Sequence, residues 1–144
     1  MALFGALSCN EPAAPLNPIA ISGTYVLVKV DTSSLPTVLY PGQSTAGTVF
    51  ADTFRLGPSG RGTRTSMIRW DDLSHQTQGN ITRQQSNYGY RIVGSRFDLT
   101  FVCPIDADCT APIPMATHLT ADGIRIESGT SIVPLLYVRV SSSP

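Results

Sequence analysis

Two cysteines near the end of the chain have the spacing of a small disulfide loop. Cys103 and Cys109 bracket five residues, including Asp106 and Asp108, and such a loop can form in an oxidising compartment. Zinc is the alternative, but paired zinc ligands favour two to four intervening residues and a second pair, which the sequence lacks. The two aspartates lack the other oxygen ligands of a calcium loop, so we interpret them as turn residues. We therefore predict a disulfide and no metal.

The richest polar cluster surrounds His75, which lies close to Asp71, Asp72 and Ser74 in the sequence. A hydrolase needs an activated nucleophile and an oxyanion hole. The sequence has no Gly-x-Ser-x-Gly nucleophile elbow, and several polar residues in one segment are typical of a solvated loop. We expect no enzymatic activity and no cofactor. A hydrolase centred on His75 is the third hypothesis.

The remaining cysteine, Cys9, follows a short apolar stretch. Residues 6–9, Ala-Leu-Ser-Cys, resemble the lipobox of bacterial lipoproteins, in which a small residue precedes a cysteine that receives diacylglycerol. Residues 10–18 contain three prolines and no periodic pattern, as expected of a semi-extended spacer. We expect Cys9 to be a lipid anchor, with a free or buried thiol as the alternative. If residues 1–8 are retained, their apolar side chains form a possible interface: Met1, Leu3 and Phe4.

The composition excludes some classes of partner. Charged residues make up 14% of the chain, against about 25% in typical soluble domains. Ten basic residues balance ten acidic ones, so no chain-wide attraction to nucleic-acid phosphates is expected. No apolar run reaches the roughly 18 residues of a membrane-spanning helix. A surface poor in charge is compatible with being covered by a protein partner.

Alternating apolar and polar residues predict short strands separated by turns. The fold class we predict is all-β: an antiparallel meander barrel or two-sheet sandwich of about eight strands, with an extended N-terminal tether. The domain would span residues 19–140, after a leader and tether at 1–18 and before a frayed tail at 141–144. The predicted strands are 23–30, 48–56, 62–70, 80–85, 88–93, 96–102, 115–119, 123–127 and 132–140.

Local signals refine this prediction. In the second strand, Phe50, Phe54 and Leu56 are expected to share one face. Gly94-Ser95 is expected to form a two-residue hairpin turn that requires a positive φ. Residues 71–78 are expected to be a loop.

Aromatic residues indicate two further surfaces. Tyr90, Phe97 and Phe101 are a possible lining for an apolar cavity, with an ordinary packed core as the alternative. Tyr40 and Trp70 are possible interface anchors, because each combines a large contact area with a polar tip.

Several motifs resemble those of small lipocalin-like lipoproteins of bacteria. They are Gly-Thr-Tyr in the first strand, Leu-Pro at 35–36, Tyr-Gly-Tyr-Arg-Ile-Val-Gly at 88–94 and Leu-Tyr-Val-Arg at 136–139. The resemblance implies a closed or nearly closed meander barrel on the periplasmic side of a bacterial cell envelope. It implies no catalytic residues.

These observations predict a non-enzymatic, exported and membrane-tethered β-domain. It would act as an extrinsic accessory subunit that docks on a larger respiratory, photosynthetic or transport complex. A lipocalin-like carrier of a small apolar ligand is the alternative.

Overall fold

The computed structural model describes residues 16–127 and 133–141. The predictions made for Cys9, Met1, Leu3 and Phe4 lie outside this part of the chain.

The described chain contains one short helix and ten strands. The helix α1 is a single turn, Pro18–Ile21, capped by the side chain of Asn17, which accepts a hydrogen bond from the backbone N of Ala20 at 2.8 Å. The strands are β1 (Gly23–Val30), β2 (Ser33–Ser34), β3 (Thr37–Tyr40), β4 (Thr45–Leu56), β5 (Arg61–Asp72), β6 (Ile81–Val93), β7 (Arg96–Val102), β8 (Met115–Leu119), β9 (Gly123–Glu127) and β10 (Leu135–Ser141).

Eight of these strands close into an antiparallel barrel. From β4 to β10 each strand pairs with the next along the chain, β10 pairs with β1, and β1 pairs back with β4. The short strands β2 and β3 extend the sheet outside this ring, on β1 and β4 respectively. The predicted all-β class and meander barrel are therefore confirmed.

Most predicted strands are found, and four of them (β1, β7, β8 and β9) have the predicted bounds. The predicted loop at 71–78 is wrong at its start, because β5 continues to Asp72. The last strand begins after Pro134 rather than at 132, as expected for a residue that cannot donate to a ladder. The predicted turn at 94–95 is confirmed, with a φ of +64° at Gly94.

The expectation for Phe50 was wrong, because β4 contains a bulge. The register against β5 shifts between Val49 and Ala51, so the buried face of β4 changes parity at that point. Phe54 and Leu56 point into the barrel, whereas the ring of Phe50 lies half-buried with the guanidinium of Arg69 5.4 Å from its centroid. The same shift turns Asp52 into the barrel.

Side chains from all eight strands fill the barrel. Phe54 makes edge-to-face contacts with Tyr88 and Tyr137, at 5.2 and 5.4 Å between ring centroids. Ile21 of α1 is fully buried at one end of the barrel, and its carbonyl accepts a hydrogen bond from the Tyr25 hydroxyl at 2.5 Å. At the other end, Leu39 of β3 packs onto the core.

Candidate functional site

The two predicted interface anchors lie together at the end of the barrel where β4 begins and β5 ends. Tyr40 on β3 and Trp70 on β5 both pair with Gly47 of β4. Their rings stack at 5.4 Å between centroids with 27° between planes. A methyl group on Gly47 would lie 2.9 Å from ring carbons of both residues, so only glycine lets the two rings lie across this strand. We call Tyr40, Gly47 and Trp70 the aromatic platform.

The platform is partly open to solvent. The side chain of Trp70 is 41% exposed, although it lies on the interior side of β5 with the buried Ile68. Tyr40 and Gly47 therefore hold the indole in place, and the remaining surface of the indole is accessible to solvent. This is the arrangement of an aromatic contact residue that needs little further ordering.

A buried ion pair lies deeper in the barrel, between β4 and β5. Asp52 is fully buried, and its Oδ2 accepts a hydrogen bond from Arg64 Nε at 2.8 Å and from Ser66 Oγ at 2.9 Å. Arg64 Nη2 also lies 2.5 Å from Oδ2. The guanidinium is 5.4 Å from the centroid of the Phe54 ring, a cation–π distance.

The charge states of this cluster follow from its surroundings. Burial by itself would lower the pKa of Arg64, but Tyr137 and Asp52 together raise that pKa well above its usual value. Burial raises the pKa of Tyr137 well above its usual value as well. Near neutral pH the cluster therefore contains a charged arginine and a neutral phenol.

Three polar atoms of the cluster have no hydrogen-bond partner among the described residues: Asp52 Oδ1, Tyr137 Oη and Arg64 Nη2, the last of which makes only the ion-pair contact with Asp52 Oδ2. Arg64 also lines a small cavity of about 30 Å³, together with Leu39, Tyr40, Met115 and Ile126. A cavity of this size has room for about one water molecule. The cluster is thus a buried polar network beneath the aromatic platform, with one charge of each sign.

Sequence reasoning missed Asp52 and Arg64. Their side chains meet only because the bulge in β4 reverses the alternation after Val49, and no residue type in the sequence marks that bulge. The one available signal was Arg64 in a run of otherwise small residues near the start of a predicted strand.

The polar cluster around His75 forms a turn. Asp72 Oδ1 accepts hydrogen bonds from the backbone N of Ser74 at 2.9 Å and of His75 at 3.1 Å, and from Ser74 Oγ at 2.6 Å. His75 Nδ1 lies 2.9 Å from Asp72 Oδ2 and 3.0 Å from Ser74 Oγ. In a catalytic triad the serine and the carboxylate bind opposite ring nitrogens, whereas here both lie at Nδ1.

These contacts change the acidity of the carboxylate. The Ser74 hydroxyl first, and then His75, lower the pKa of Asp72 to about 2. A carboxylate held in this way stabilises a loop.

The predicted disulfide between Cys103 and Cys109 is confirmed, with 6.0 Å between the Cα atoms. The loop that it closes follows β7 directly and carries Asp106 and Asp108, both exposed. Within residues 16–127 and 133–141, no three side chains of the metal-binding types lie close enough to share an ion.

The three residues of the predicted cavity lie at different depths. Phe97 is fully buried, Tyr90 packs edge-on against it at 5.9 Å between centroids, and Phe101 packs against Tyr88 at the same distance. The Tyr90 hydroxyl donates a hydrogen bond to the Gly57 carbonyl at 2.6 Å. All three rings therefore contribute to aromatic packing at the wall formed by β6 and β7.

In the described part of the chain, no helix has the length and apolar character to cross a bilayer. Nothing matches this chain among protein-family models, curated proteins or solved structures. The resemblance to lipocalin-like lipoproteins therefore stays a prediction.

Proposed function

We propose that the protein is a non-enzymatic, exported binding domain that docks on a larger membrane protein complex through the aromatic platform. The observation that carries this proposal is the exposed indole of Trp70, stacked on Tyr40 across Gly47. Trp and Tyr are the residue types that most often dominate the energy of protein interfaces. Their stacking keeps the loss of side-chain freedom on binding small.

The charges beside the platform favour its burial by a partner. The Asp71 carboxylate binds Arg69 Nε at 2.9 Å, and Asp72 is satisfied by Ser74 and His75. Carboxylates that are already ion-paired or hydrogen-bonded within one molecule are less costly to cover than isolated ones. Apolar side chains are exposed at the same end of the barrel, including Leu73 at 46% and Ile81 at 48%.

Export is supported by the disulfide, because such bridges persist mainly in oxidising compartments. The membrane tether depends on lipidation of Cys9. In the proposal, the lipid keeps the domain on the periplasmic side of the membrane, and the platform selects the protein partner.

The size of the native particle tests this proposal. Detergent extracts of native membranes should contain the protein in a particle much larger than its own 15.4 kDa. Trp70→Ser should release it to the position of the free chain. Val93→Ser is the matched control, since Val93 is also an exposed apolar residue but lies beside the turn at 94–95. Migration of the unmodified protein alone in every extract would contradict the proposal.

The carrier of a small apolar ligand is the second candidate, and the closed barrel favours it. The cavity beside Arg64 is far smaller than the roughly 300–1,000 Å³ of typical ligand sites. A carrier that encloses its ligand in the barrel would therefore have to open its core, whereas the open groove of about 750 Å³ beside Arg55, Gly62 and Asn87 has the volume of a ligand site without such a change. Native mass spectrometry of the protein purified from its own membrane distinguishes the two candidates, because a carrier retains an apolar small molecule.

A further inference from the structure

Among the strands that the structure describes, only β5 pairs with the N-terminal half of β6. Strand β5 pairs with β6 from Ile81 to Gly89, whereas β7 pairs with it only from Asn87 to Val93. Residues 81–86 therefore have no strand partner on the β7 side within residues 16–127 and 133–141. We call residues 81–86 the open edge.

The end of β7 explains why the ladder stops there. Val102 pairs with Asn87, and the next residues are Cys103 and Pro104. The disulfide turns the chain into its own small loop, and proline has no N–H with which to extend a ladder. Along the open edge, alternate residues consequently direct their backbone N–H and C=O groups away from β5.

The open edge is accessible from both faces of the sheet. Thr82 and Gln84 pair with Ile68 and Ser66, whose side chains point into the barrel, yet Thr82 and Gln84 are exposed. Arg83 and Gln85 on the outer face are exposed as well. An edge with backbone groups accessible from both sides can accept another strand.

The usual protection of an edge strand is weak here. Natural edges are commonly blocked by proline, lysine, a bulge or an inward-pointing charge. The open edge, Ile-Thr-Arg-Gln-Gln-Ser, contains one charge, on Arg83, which shares the outer face with its partner Met67. The register of β6 against β5 is uninterrupted over this segment.

We propose that the open edge is a dimerisation site, at which the same segment of a second copy of this chain adds in antiparallel orientation. The sequence of the edge is complementary to itself about Gln84. A twofold axis at that residue places Gln84 opposite Gln84, Arg83 opposite Gln85, and Thr82 opposite Ser86. Each pair matches polar side chains that can hydrogen-bond, and no charge faces a like charge directly.

Geometry selects this register over its neighbours. Directly opposed residues of two antiparallel strands point to the same face of the sheet, and side chains alternate between faces along each strand. A twofold axis perpendicular to the sheet must therefore pass through a residue position and cannot lie between two residues. An axis at Arg83 would place two arginines directly opposite each other, which is destabilising. The axis at Gln84 pairs residues 82–86 and leaves only Ile81 of the open edge without a partner, because Asn87 already pairs with β7. An axis at Thr82 would pair only residues 81–83, and an axis at Gln85 only residues 84–86.

Cysteine trapping tests both the occupant and the register. In a Cys9→Ser background, Gln84→Cys places two thiols on directly opposed residues, with Cα atoms about 4.5–5.5 Å apart. This is within the range of a disulfide. The matched control is Thr82→Cys, on the same strand and face. Its two copies would be offset by four residues, about 14 Å along the strand, and cannot be bridged.

Sedimentation of the same background without a new cysteine gives an independent readout. The protein should approach twice 15.4 kDa with rising concentration. Gln84→Lys should weaken the dimer up to about fivefold, from like charges directly opposed across the strands. Ser95→Lys, which adds the same charge at the exposed turn at the other end of β6, should leave the dimer unchanged.

The proposal predicts that mild oxidation converts the Gln84→Cys variant into a covalent dimer and leaves the Thr82→Cys variant uncrosslinked. Equal trapping of both variants would overturn the register. A protein that stays monomeric at all concentrations, with neither variant trapped, would overturn the second copy as occupant. Dimerisation that appears only after residues 1–15 are removed would also overturn the second copy as occupant, because those residues would then be the occupant of the open edge in the intact chain.

Discussion

Replacing Asp52 with alanine should strongly destabilise the barrel. The variant removes the counter-charge of Arg64, whose side chain is only 10% exposed, and the acceptor of Ser66 Oγ. Breaking a buried ion pair by removing one partner typically costs about 3–5 kcal/mol. Small domains unfold with about 5–15 kcal/mol in total, so Asp52→Ala should lose roughly a fifth or more of the stability.

Urea unfolding followed by fluorescence measures this loss. Trp70 is the only tryptophan in the chain, so the signal comes from one known position. Glu127→Ala is the matched control, because it breaks an ion pair with Arg125 at 3.2 Å in which both side chains are about half exposed. Exposed pairs contribute about 0–1 kcal/mol, so the control should unfold nearly as the original protein does.

A double replacement separates the buried charge from lost packing. Asp52→Leu combined with Arg64→Met removes both charges and keeps the interior apolar, so most of the stability should return. Since an arginine stays charged at any ordinary pH, the loss in Asp52→Ala should be the same between about pH 6 and 9. A loss below about 1 kcal/mol for Asp52→Ala would refute the reasoning, because the pair would then behave as a hydrated one.

Three further predictions concern the aromatic platform, the turn around Asp72 and the disulfide. Gly47→Ala should force the rings of Tyr40 and Trp70 apart and cost about 1–3 kcal/mol, with an altered tryptophan emission spectrum; Gly89→Ala, where the nearest atom is 3.9 Å away, should change neither. The Asp72 carboxyl should titrate near pH 2 by carbon NMR and shift upwards in Ser74→Ala; since its folded pKa is below the unfolded value, its stabilising effect should be present above about pH 4 and fade as the pH falls towards 2. Replacing both Cys103 and Cys109 with serine should lower the free energy of unfolding by about 2 kcal/mol, and an unchanged urea midpoint would contradict that estimate.

The fold was predictable where burial alternates along a strand. In β7, Phe97 and Leu99 are fully buried while their neighbours are not, and the predicted bounds were those found. In β6 the segment around Gln84 and Gln85 is exposed on both faces, so no alternation marked it and one strand was predicted as two. The short strand β3 lies between Pro36 and Pro41, and it was missed because its pairing depends on β4 alone.

The candidate site was predictable only by residue type. The aromatic residues Tyr40 and Trp70 were identified as contact residues, but their stacking depends on a shared register with Gly47. The pair of Asp52 and Arg64 depends on the bulge after Val49. Both features come from pairing between strands, which the sequence of one strand does not specify.

Site-specific photo-crosslinking from position 70 in native membranes tests the central claim most directly. A photoreactive phenylalanine analogue in place of Trp70 should form one dominant adduct with a larger membrane protein, whereas the same analogue at Val93 should not. If Gly47→Ala in the same protein abolishes that adduct, the crosslink depends on the geometry of the aromatic platform. Equal labelling from both positions, or none from position 70, would contradict docking through the aromatic platform.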